Sequence, residues 1–209
     1  EDIAALLNRG YSYDVLSTGL LTLDVLQVQD GILKAEDAAY QALIVYDMSQ
    51  LAYDAAEKLL AYAKNGLPVI FYKKTPETVK ATRVEGKGTQ QDLEKVMEEL
   101  LGLPNVWETA DDAALLAALK DGNVEPAVQA NIEGFRTVHR EDVDGTDYYY
   151  LMNQSDKKVS STVVLEGEGV PFLLNAWTGD SIPAASYKDG AGNVEIPVEL
   201  NAYEAMLVA

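Results

Sequence analysis

One stretch, residues 42–71, constrains the fold of this chain more than any other. An apolar run from Ala42 to Tyr46 has the length and the branched side chains of a buried strand. Asp47 or Ser49 can then cap a helix whose apolar side chains recur at helical spacing on one face, namely Leu51, Ala55, Leu59, Tyr62 and Ala63.

The same stretch also predicts the end of that helix and a second strand after it. Asn65-Gly66 supplies a residue for the left-handed conformation that ends helices, and Pro68 prevents continuation. Residues 69–71 then form a second short apolar run. A strand, a helix and a strand over this length make a βαβ unit, so the two strands should be parallel and joined by a right-handed crossover.

Two further helices are predicted before the helical pattern ends. Thr89 can cap a helix that runs to about Leu101, where Gly102 and Pro104 follow. Thr109 and Asp112 have the spacing of a capping box ahead of a second apolar helical stripe. We therefore predict a three-layer α/β/α domain with a parallel sheet over residues 1–124.

The pattern changes to alternation near Pro126. Asp144-Gly145 is a hairpin turn signal, and Pro197 within an alternating run indicates an edge position. Candidate strands follow one another at short spacing, at residues 135–140, 148–153, 159–165, 170–176, 182–188, 194–200 and 205–208. This spacing predicts an antiparallel β-sandwich as a second domain over residues 125–209.

Charge and composition exclude several classes of function. The net charge of −18 arises from 34 acidic and 16 basic residues, which disfavours nucleic acid and anionic membranes as partners. No apolar run approaches the ~20 residues of a membrane-spanning helix. The absence of cysteine excludes disulfides, thiolate metal sites and a cysteine nucleophile. Because the chain begins at Glu1 without methionine or a leader, we expect a processed piece of a longer protein, and its localisation stays open.

The residues do not assemble an obvious catalytic set. No G-x-S-x-G occurs, and His139 is the sole histidine. His139 could be a ligand or a general base, but its place on an alternating strand favours a structural histidine. The acidic pairs Glu98-Glu99 and Asp111-Asp112 fall on predicted helix surfaces or caps. We therefore predict no catalytic, cofactor-binding or metal-binding residues in this chain.

Residues 142–147 are acidic and superficially resemble a calcium loop. The closing glutamate of an EF-hand is absent, however, and a tight turn between strands explains the same residues. The carboxyl ends of the parallel strands, near residues 47–50 and 72–75, form the crevice where such sheets usually bind ligands. Because no glycine-rich phosphate loop lies there, we expect an empty or partner-covered crevice.

Exposed aromatic rings are the remaining candidates for a binding site, since a planar ring can stack on a sugar face. Trp177 and Tyr187 are the candidate carbohydrate-binding residues, together with the run Tyr148-Tyr149-Tyr150. Alternation places Tyr149 on the face opposite Tyr148 and Tyr150, so one face of that run should be core.

Several local patterns, taken in order, resemble one family. They are Gly10-Tyr11-Ser12-Tyr13-Asp14, Asp30-Gly31-Ile32-Leu33, Leu43-Ile44-Val45 after Tyr40, Lys58-Leu59 followed by Gly66 and Val69-Ile70, Val138-His139-Arg140, Asp147-Tyr148-Tyr149-Tyr150 with Met152-Asn153-Gln154, Trp177-Thr178-Gly179, and the closing run from Leu200 to Val208. The chain resembles the C-terminal region of bacterial glycoside hydrolases of the family 106 α-L-rhamnosidase-like group. In that group a glutamine-amidotransferase-like Rossmannoid domain precedes a β-sandwich.

The resemblance implies a non-catalytic structural or interaction region of a larger, polysaccharide-degrading glycoside hydrolase. Its main partner would be the catalytic domain of the same parent chain, with homo-oligomer contacts as a further candidate. The catalytic carboxylates would lie outside this sequence, no cofactor is implied, and the parent is a candidate for export. The alternative is a carbohydrate-binding module that uses the sandwich aromatics, Trp177 and Tyr187 among them.

Overall fold

A computed structural model describes residues 3–36, 38–79 and 88–209. The chain forms two compact units. The α/β unit is Val15–Val124, and the β unit combines Glu1–Asp14 with Glu125–Ala209. Residues 3–14 therefore group with the C-terminal strands, whereas the sequence pattern places them in the α/β domain.

Helices and strands occur in both units and are numbered in chain order. The helices are α1 (Ala4–Leu7), α2 (Thr18–Leu21), α3 (Tyr53–Lys64), α4 (Gln90–Leu101) and α5 (Asp112–Asp121). The strands of the α/β unit are β1 (Leu26–Gln29), β2 (Ile32–Ala35), β3 (Ala38–Tyr40), β4 (Leu43–Tyr46), β5 (Gln50–Leu51), β6 (Val69–Tyr72), β7 (Thr78–Val79) and β8 (Val106–Thr109). The strands of the β unit are β9 (Val128–Gln129), β10 (Phe135–Glu141), β11 (Asp147–Asn153), β12 (Val159–Glu166), β13 (Phe172–Leu174), β14 (Ser181–Pro183), β15 (Lys188–Gly190), β16 (Asn193–Leu200) and β17 (Ala205–Val208).

The parallel pairing predicted from residues 42–71 is confirmed. β4 pairs in parallel with β6, and β6 pairs in parallel with β8. All four residues of β6 are buried, as expected for the central strand of such a sheet. The helix between β4 and β6 buries the predicted face, including Ala55, Leu59 and Tyr62.

The start of that helix differs from the prediction. Neither Asp47 nor Ser49 caps it, because Gln50 and Leu51 form the short strand β5, which pairs in parallel with β7. The helix begins at Tyr53, and its N-cap residue is Ala52, which makes no side-chain capping bond. A long-range strand pairing has therefore displaced the local capping signal.

Of the other two predicted helix starts, that of α4 is correct and that of α5 is wrong. Thr89 caps α4 in a capping box with Asp92, as predicted. Thr109 does not cap α5, because it ends β8 and its hydroxyl donates to the Phe71 carbonyl at 3.1 Å. Asp111 is the N-cap instead, and its carboxylate accepts from the Ala114 amide at 2.9 Å.

Strands β1, β2 and β3 form an antiparallel sheet that the sequence did not indicate clearly. The turn between the first two contains Asp30 and Gly31, as the turn signal suggested. The Tyr62 hydroxyl on α3 lies 3.0 Å from the Leu21 carbonyl oxygen and 3.2 Å from that of Leu26. This hydroxyl joins the segment that leads into β1 to the helix of the βαβ unit.

The β unit contains two antiparallel sheets that contribute to one hydrophobic core. The five-stranded sheet has the order β10-β11-β17-β13-β14, and the four-stranded sheet has the order β15-β16-β12-β9. Their shared core includes Phe135 and Leu151 from the first sheet and Val163 and Ile196 from the second. Alternating strands thus bury one side chain in two, as the period of their sequence predicts.

Two details of this unit differ from the strand predictions. The run at residues 182–188 is not one strand, because β14 belongs to the five-stranded sheet and β15 to the four-stranded sheet. Pro197 lies on β16, which is flanked by β12 and β15. β15 pairs only with residues 193–195 of β16, so Pro197 lies beyond the end of β15. On that edge of β16 the proline has no strand partner that would need its missing N–H group.

Hydrogen bonds attach the N-terminal segment to the β unit. The carbonyls of Asn8 and Arg9 accept from the amides of Ile132 and Ala130 at 3.0 and 3.3 Å. The Thr137 hydroxyl on β10 donates to the Gly10 carbonyl at 2.8 Å. Within the described ranges of the chain, no helix is long and apolar enough to cross a membrane.

Candidate functional site

The carboxyl ends of β4 and β6 lie side by side at the predicted crevice, near residues 47–50 and 72–75. Asp47 and Lys73, the residues that follow these strands, have positive φ angles of 48° and 70°. Such angles are uncommon for residues other than glycine and frequently mark functional sites. The Asp47 amide donates to the Tyr72 carbonyl at 2.8 Å, and the Lys73 amide donates to the Thr109 carbonyl at 2.7 Å.

Two tyrosines and a lysine occupy this edge of the sheet. The Tyr46 and Tyr72 rings stack with centroids 5.5 Å apart. The Lys73 ammonium donates to the Tyr46 hydroxyl at 3.0 Å and lies 4.9 Å from the centroid of that ring. The Tyr72 hydroxyl donates to the Asp112 carboxylate at the start of α5. These contacts connect the ends of two strands to a helix N-terminus.

The charges of this crevice are largely compensated within it. Lys74 forms an ion pair with Asp47 at 2.8 Å, and its hydrogen bond lowers the pKa of the Asp47 carboxyl. The Thr75 hydroxyl donates to Glu108 at 2.5 Å. Both pairs are exposed to solvent. They do not test the expectation of an empty or partner-covered crevice, which stays a prediction.

We expect the Tyr72 contact to make stability depend on pH in the alkaline range. Burial, and then the hydrogen bond to Asp112, raise the pKa of Tyr72 from 10.0 to about 12. Because the folded state holds this proton more tightly than the unfolded state, its contribution is complete below pH 10 and is lost as the pH rises toward 12. Urea unfolding should therefore show the stability difference between wild type and Tyr72→Phe shrinking across this window. Tyr203→Phe, at an exposed turn residue, is the control, and a Tyr72→Phe difference independent of pH would contradict the expectation.

The predicted helix-surface acids lie where the sequence placed them. Glu98 and Glu99 are exposed on α4, and Glu99 pairs with Lys64 at 2.5 Å. Asp111 and Asp112 lie at the N-terminus of α5. The ordinary interpretation of both acidic pairs, as solvated faces or caps, is confirmed.

His139 belongs to a cluster in the β unit. Its Nε2 atom lies 2.7 Å from Oδ1 of Asp147 on the neighbouring strand. Its ring stacks on Tyr149, with centroids 4.7 Å apart and an angle of 11° between planes. The Tyr149 hydroxyl donates to the Glu166 carbonyl, and burial, with nearby carboxylates, raises the pKa of this hydroxyl. His139 is thus packed and hydrogen-bonded, as the structural interpretation predicts.

A cavity of about 490 Å³ lies next to this cluster. Its lining comes from the turn before β11 and the start of that strand, the ends of β12 and β17, the loop that connects β12 to β13, and residues of β13, β14 and β16. Its apolar lining combines three core residues, Leu165, Val194 and Val208, with the more exposed Val170 and Phe172. Asp147, Glu166 and Glu168 are the carboxylates among its lining residues.

Residues 142–147 form a turn between β10 and β11, as the sequence favoured over a calcium loop. The Gly145 amide donates to the Asp142 carbonyl at 3.0 Å, and the Asp142 amide donates to the Thr146 carbonyl at 2.9 Å. The Asp144 carboxylate accepts from the Thr146 amide at 3.0 Å, which lowers the pKa of Asp144. Across the part of the chain that the structure describes, no cluster of three or more potential metal ligands is present.

Trp177 lies on the loop between β13 and β14 and is 97% exposed. The loop is held by Asn175, whose side-chain oxygen accepts from the amides of Trp177 and Thr178 at 2.9 and 3.2 Å. The Asn175 amide also donates to the Asp180 carbonyl at 2.9 Å. An ordered turn therefore presents the indole to solvent.

Tyr187 is 37% exposed and lies directly before β15. That strand belongs to the four-stranded sheet, whereas Trp177 connects two strands of the five-stranded sheet. The two candidate carbohydrate-binding residues thus lie on successive connections, on either side of β14, and their role in binding stays a prediction.

The outward side of the five-stranded sheet carries a different aromatic group. Tyr149 is buried, while Tyr148 and Tyr150 are 36% and 38% exposed, so the predicted alternation is confirmed. Tyr150 lies directly opposite Val138 on β10 and Leu207 on β17. We call Val138, Tyr148, Tyr150 and Leu207 the outer aromatic face.

Sequence reasoning missed the cavity, because its residues come from distant segments. The useful signal was the sequence Glu166-Gly167-Glu168-Gly169, two glycines that alternate with two acids at the end of a strand. Both glycines have positive φ angles, 127° and 115°. A loop of this composition can approach neighbouring side chains closely and keep space beside them.

Comparison with known proteins identifies similar solved structures. Neither a protein-family model nor a curated protein matches the sequence. A rhamnosidase from Novosphingobium sp. PP1Y matches over 96% of this chain and 20% of its own, with 25% sequence identity and a TM-score of 0.72. The chain is thus similar in structure to part of a rhamnosidase.

Two other glycoside hydrolases share the fold at lower identity. An exo-carrageenase GH42 from Bacteroides ovatus matches over 98% of this chain and 26% of its own, with 13% identity and a TM-score of 0.50. A β-galactosidase from Bacillus circulans sp. alkalophilus matches over 81% of this chain and 33% of its own, with 15% identity and a TM-score of 0.50. The chain therefore spans between a fifth and a third of the length of these three glycoside hydrolases, whose architecture it shares.

Proposed function

We propose that this chain is a non-catalytic structural and interaction region of a larger, α-L-rhamnosidase-like glycoside hydrolase. The observation that carries the proposal is the rhamnosidase match, which covers 96% of this chain but 20% of the rhamnosidase. A region of this kind would support the catalytic domain of the same parent chain. The exo-carrageenase and the β-galactosidase, of which this chain covers 26% and 33%, contain a region of the same fold, which is consistent with a glycoside hydrolase as the parent.

The architecture of the α/β unit supports an amidotransferase-like Rossmannoid domain with three layers. Helices α3 and α4 contribute to one core with residues of β4, β6 and β8. Helix α5 contacts β6 and β8, yet its buried residues Leu115, Ala118 and Leu119 lie outside that core. We infer that α5 covers the second face of the sheet, and that the two sheets of the β unit form an antiparallel sandwich.

The outer aromatic face supports an interaction role. Exposed apolar residues that adjoin one another on a sheet often mark a surface for another domain. Val138 is 55% exposed, and it lies beside Tyr150 in the strand register. We propose that this face packs against another domain of the parent enzyme.

A hydrolysis assay tests the non-catalytic part of the proposal. The purified chain should release no nitrophenol above background from 4-nitrophenyl α-L-rhamnopyranoside or 4-nitrophenyl β-D-galactopyranoside. The physical reason is that the paired carboxylates of a glycosidase would belong to another domain. Turnover that scales with the amount of chain and persists through further purification would overturn the proposal.

Limited proteolysis of the full-length parent tests the packing part. Tyr150→Asp would place a carboxylate in an apolar contact between domains, which weakens that contact. The protease should then reach the connecting segment more easily and release this region from the parent faster. Thr162→Asp, an exposed position on the four-stranded sheet, is the matched control and should leave the rate unchanged. Equal release rates for the two variants, each with an unchanged melting temperature as an isolated chain, would contradict packing through this face.

Carbohydrate binding through Trp177 is the second candidate function. The observation that favours it is the nearly complete exposure of an indole on an ordered turn. Tyr187, which is partly exposed on a connection to the other sheet, would then contribute separately. Loss of sugar binding in Trp177→Ala, with folding retained, would support this function.

A further inference from the structure

We propose that the cavity of the β unit, rather than Trp177, binds a neutral sugar residue. The cavity volume of about 490 Å³ falls within the range of small-molecule sites. It combines apolar lining residues, among them the exposed Val170 and Phe172, with carboxylates that can accept hydrogen bonds. A sugar presents the complementary surface, with apolar C–H groups beside hydroxyl donors.

Asp147 is the best-held acceptor in this cavity. Oδ1 is fixed at 2.7 Å from Nε2 of His139, whose ring is held against Tyr149. Oδ2 lies beside Gly167, where a Cβ atom would be 3.2 Å away. His139 thus orients one oxygen of the carboxylate. The other oxygen lies against the Cα of Gly167, where a hydrogen atom takes the place of a side chain. A preorganised acceptor of this kind favours a directional hydroxyl contact.

The loop between β12 and β13 keeps the cavity open. The Gly167 amide donates to the Gly192 carbonyl at 2.8 Å, which anchors the loop at its start. A Cβ atom on Gly167 would meet Asp147 and the Tyr149 hydroxyl, whereas one on Gly169 would meet no atom within 4 Å. The two glycines therefore permit close approach at one point and leave space at the next.

Charge indicates which class of sugar the cavity accepts. Asp147, Glu166 and Glu168 all line it, in a chain of net charge −18. An acidic sugar would place its own carboxylate among these groups, and this repulsion disfavours uronic acids and sulfated sugars. Neutral sugars have no such penalty, so the cavity should discriminate by charge.

Saturation-transfer NMR with two sugars of the same stereochemistry tests this discrimination. D-galactose and D-galacturonate differ only in the group at C6, and L-rhamnose serves as a second neutral probe. We expect saturation transfer from the wild-type chain to a neutral probe, with binding of galacturonate weaker by about tenfold or more because of the carboxylates. Absence of transfer to both neutral sugars at tens of millimolar would overturn the proposal.

Substitutions then locate the site. Asp147→Asn should weaken neutral-sugar binding by about tenfold, since a charged acceptor is replaced by an amide. Glu168→Gln at the exposed loop should narrow the difference in affinity between galactose and galacturonate. Glu199→Gln should not, because Glu199 lies near the other end of β16 from Val194 and does not line the cavity. The Glu168→Gln effect on charge selectivity is a readout that general destabilisation would not produce.

Trp177→Ala separates this proposal from the alternative carbohydrate site. The variant should bind neutral sugars as wild type does, because Trp177 does not line the cavity. If Trp177→Ala abolishes binding while Asp147→Asn and Glu168→Gln leave it unchanged, the cavity proposal is wrong. The structural role is tested by hydrolysis and proteolysis instead, so failure of sugar binding would leave that role unaffected.

Discussion

Gly10→Ala is expected to destabilise the β unit by more than about 3 kcal/mol, since the new methyl group would overlap main-chain atoms. A Cβ atom at Gly10 would lie 1.6 Å from the Val128 carbonyl oxygen and 2.8 Å from its carbon. Gly10 also has a φ angle of 90°, which disfavours any side chain. No rotamer change relieves a clash between backbone and Cβ, so the N-terminal segment would have to leave its place beside β9.

Gly145→Ala is the matched control for this prediction. Gly145 has a similar φ angle of 82°, but a Cβ atom there would meet no atom within 4 Å. The backbone penalty alone is about 1–2 kcal/mol. Urea unfolding followed by hydrogen exchange and mass spectrometry would assign each loss to its unit. Equal losses for the two variants would show that contact with Val128 is unimportant.

The second large effect is expected at Asn153, which is fully buried at the end of β11. Its side-chain nitrogen donates to the carbonyls of Lys157 and Asn201 at 2.7 and 2.8 Å. Its oxygen accepts from the Ser155 amide and hydroxyl at 3.0 and 2.7 Å. One amide therefore joins the loop after β11 to the loop after β16.

Asn153→Leu should cost about 3 kcal/mol or more, because several buried polar groups lose their partners at once. Asn153→Asp should also destabilise, since a carboxylate would face two carbonyl oxygens. Its defect should diminish at acidic pH, where protonation restores one donor and the carboxyl has a raised pKa in the folded state. Unfolding free energies at several pH values would measure both effects.

Asn193→Asp provides the control for the charge change. The Asn193 side chain makes one long hydrogen bond, 3.4 Å to the Ala191 carbonyl, at a partly exposed position. Asn193→Asp should lower the free energy of unfolding only slightly, and acidification should restore much less stability than in Asn153→Asp. A defect in Asn153→Asp no larger than that of Asn193→Asp would contradict the proposed role of the buried amide.

The parts of the fold that the sequence predicts correctly depend on local patterns. The parallel strands around α3 follow from apolar periodicity, and the start of α4 follows from the Thr89 capping box. The opposite faces of Tyr149 and Tyr150 follow from the two-residue period of a strand. In each of these cases the signal lies within a few residues of the structure that it predicts.

The parts that sequence reasoning missed depend on distant partners. Gln50 and Leu51 join a strand pair with residues 78–79, which overrides the capping signals before them. Thr109 is the last residue of β8, and its hydroxyl bonds to Phe71 in the neighbouring strand instead of capping α5. The candidate cavity likewise unites the β10–β11 turn with the β12–β13 loop. No periodicity within one segment reports such pairings.

The candidate binding residues show the same limit. Trp177 is almost fully exposed and Tyr187 is partly exposed, on successive connections on either side of β14, and their role in sugar binding stays a prediction. The sequence assigned Asp147 to a turn and gave Glu168 no role, because the two residues line one cavity only once the β10–β11 turn and the β12–β13 loop come together. Composition indicated an acidic chain without indicating where its acids converge.

The division of the β unit has a consequence for how the chain is synthesised. The α/β unit occupies Val15–Val124, between the two segments that form the β unit. A nascent chain can therefore fold the α/β unit first. During that time Gly10 has no hydrogen bond from Thr137, because Thr137 lies 127 residues further along the chain and is synthesised later. Cutting the gene after residue 124 would separate that pair permanently. A β unit made from a gene for residues 125–209 would lack its first segment, whereas a permuted gene that places residues 3–14 after residue 209 would supply it.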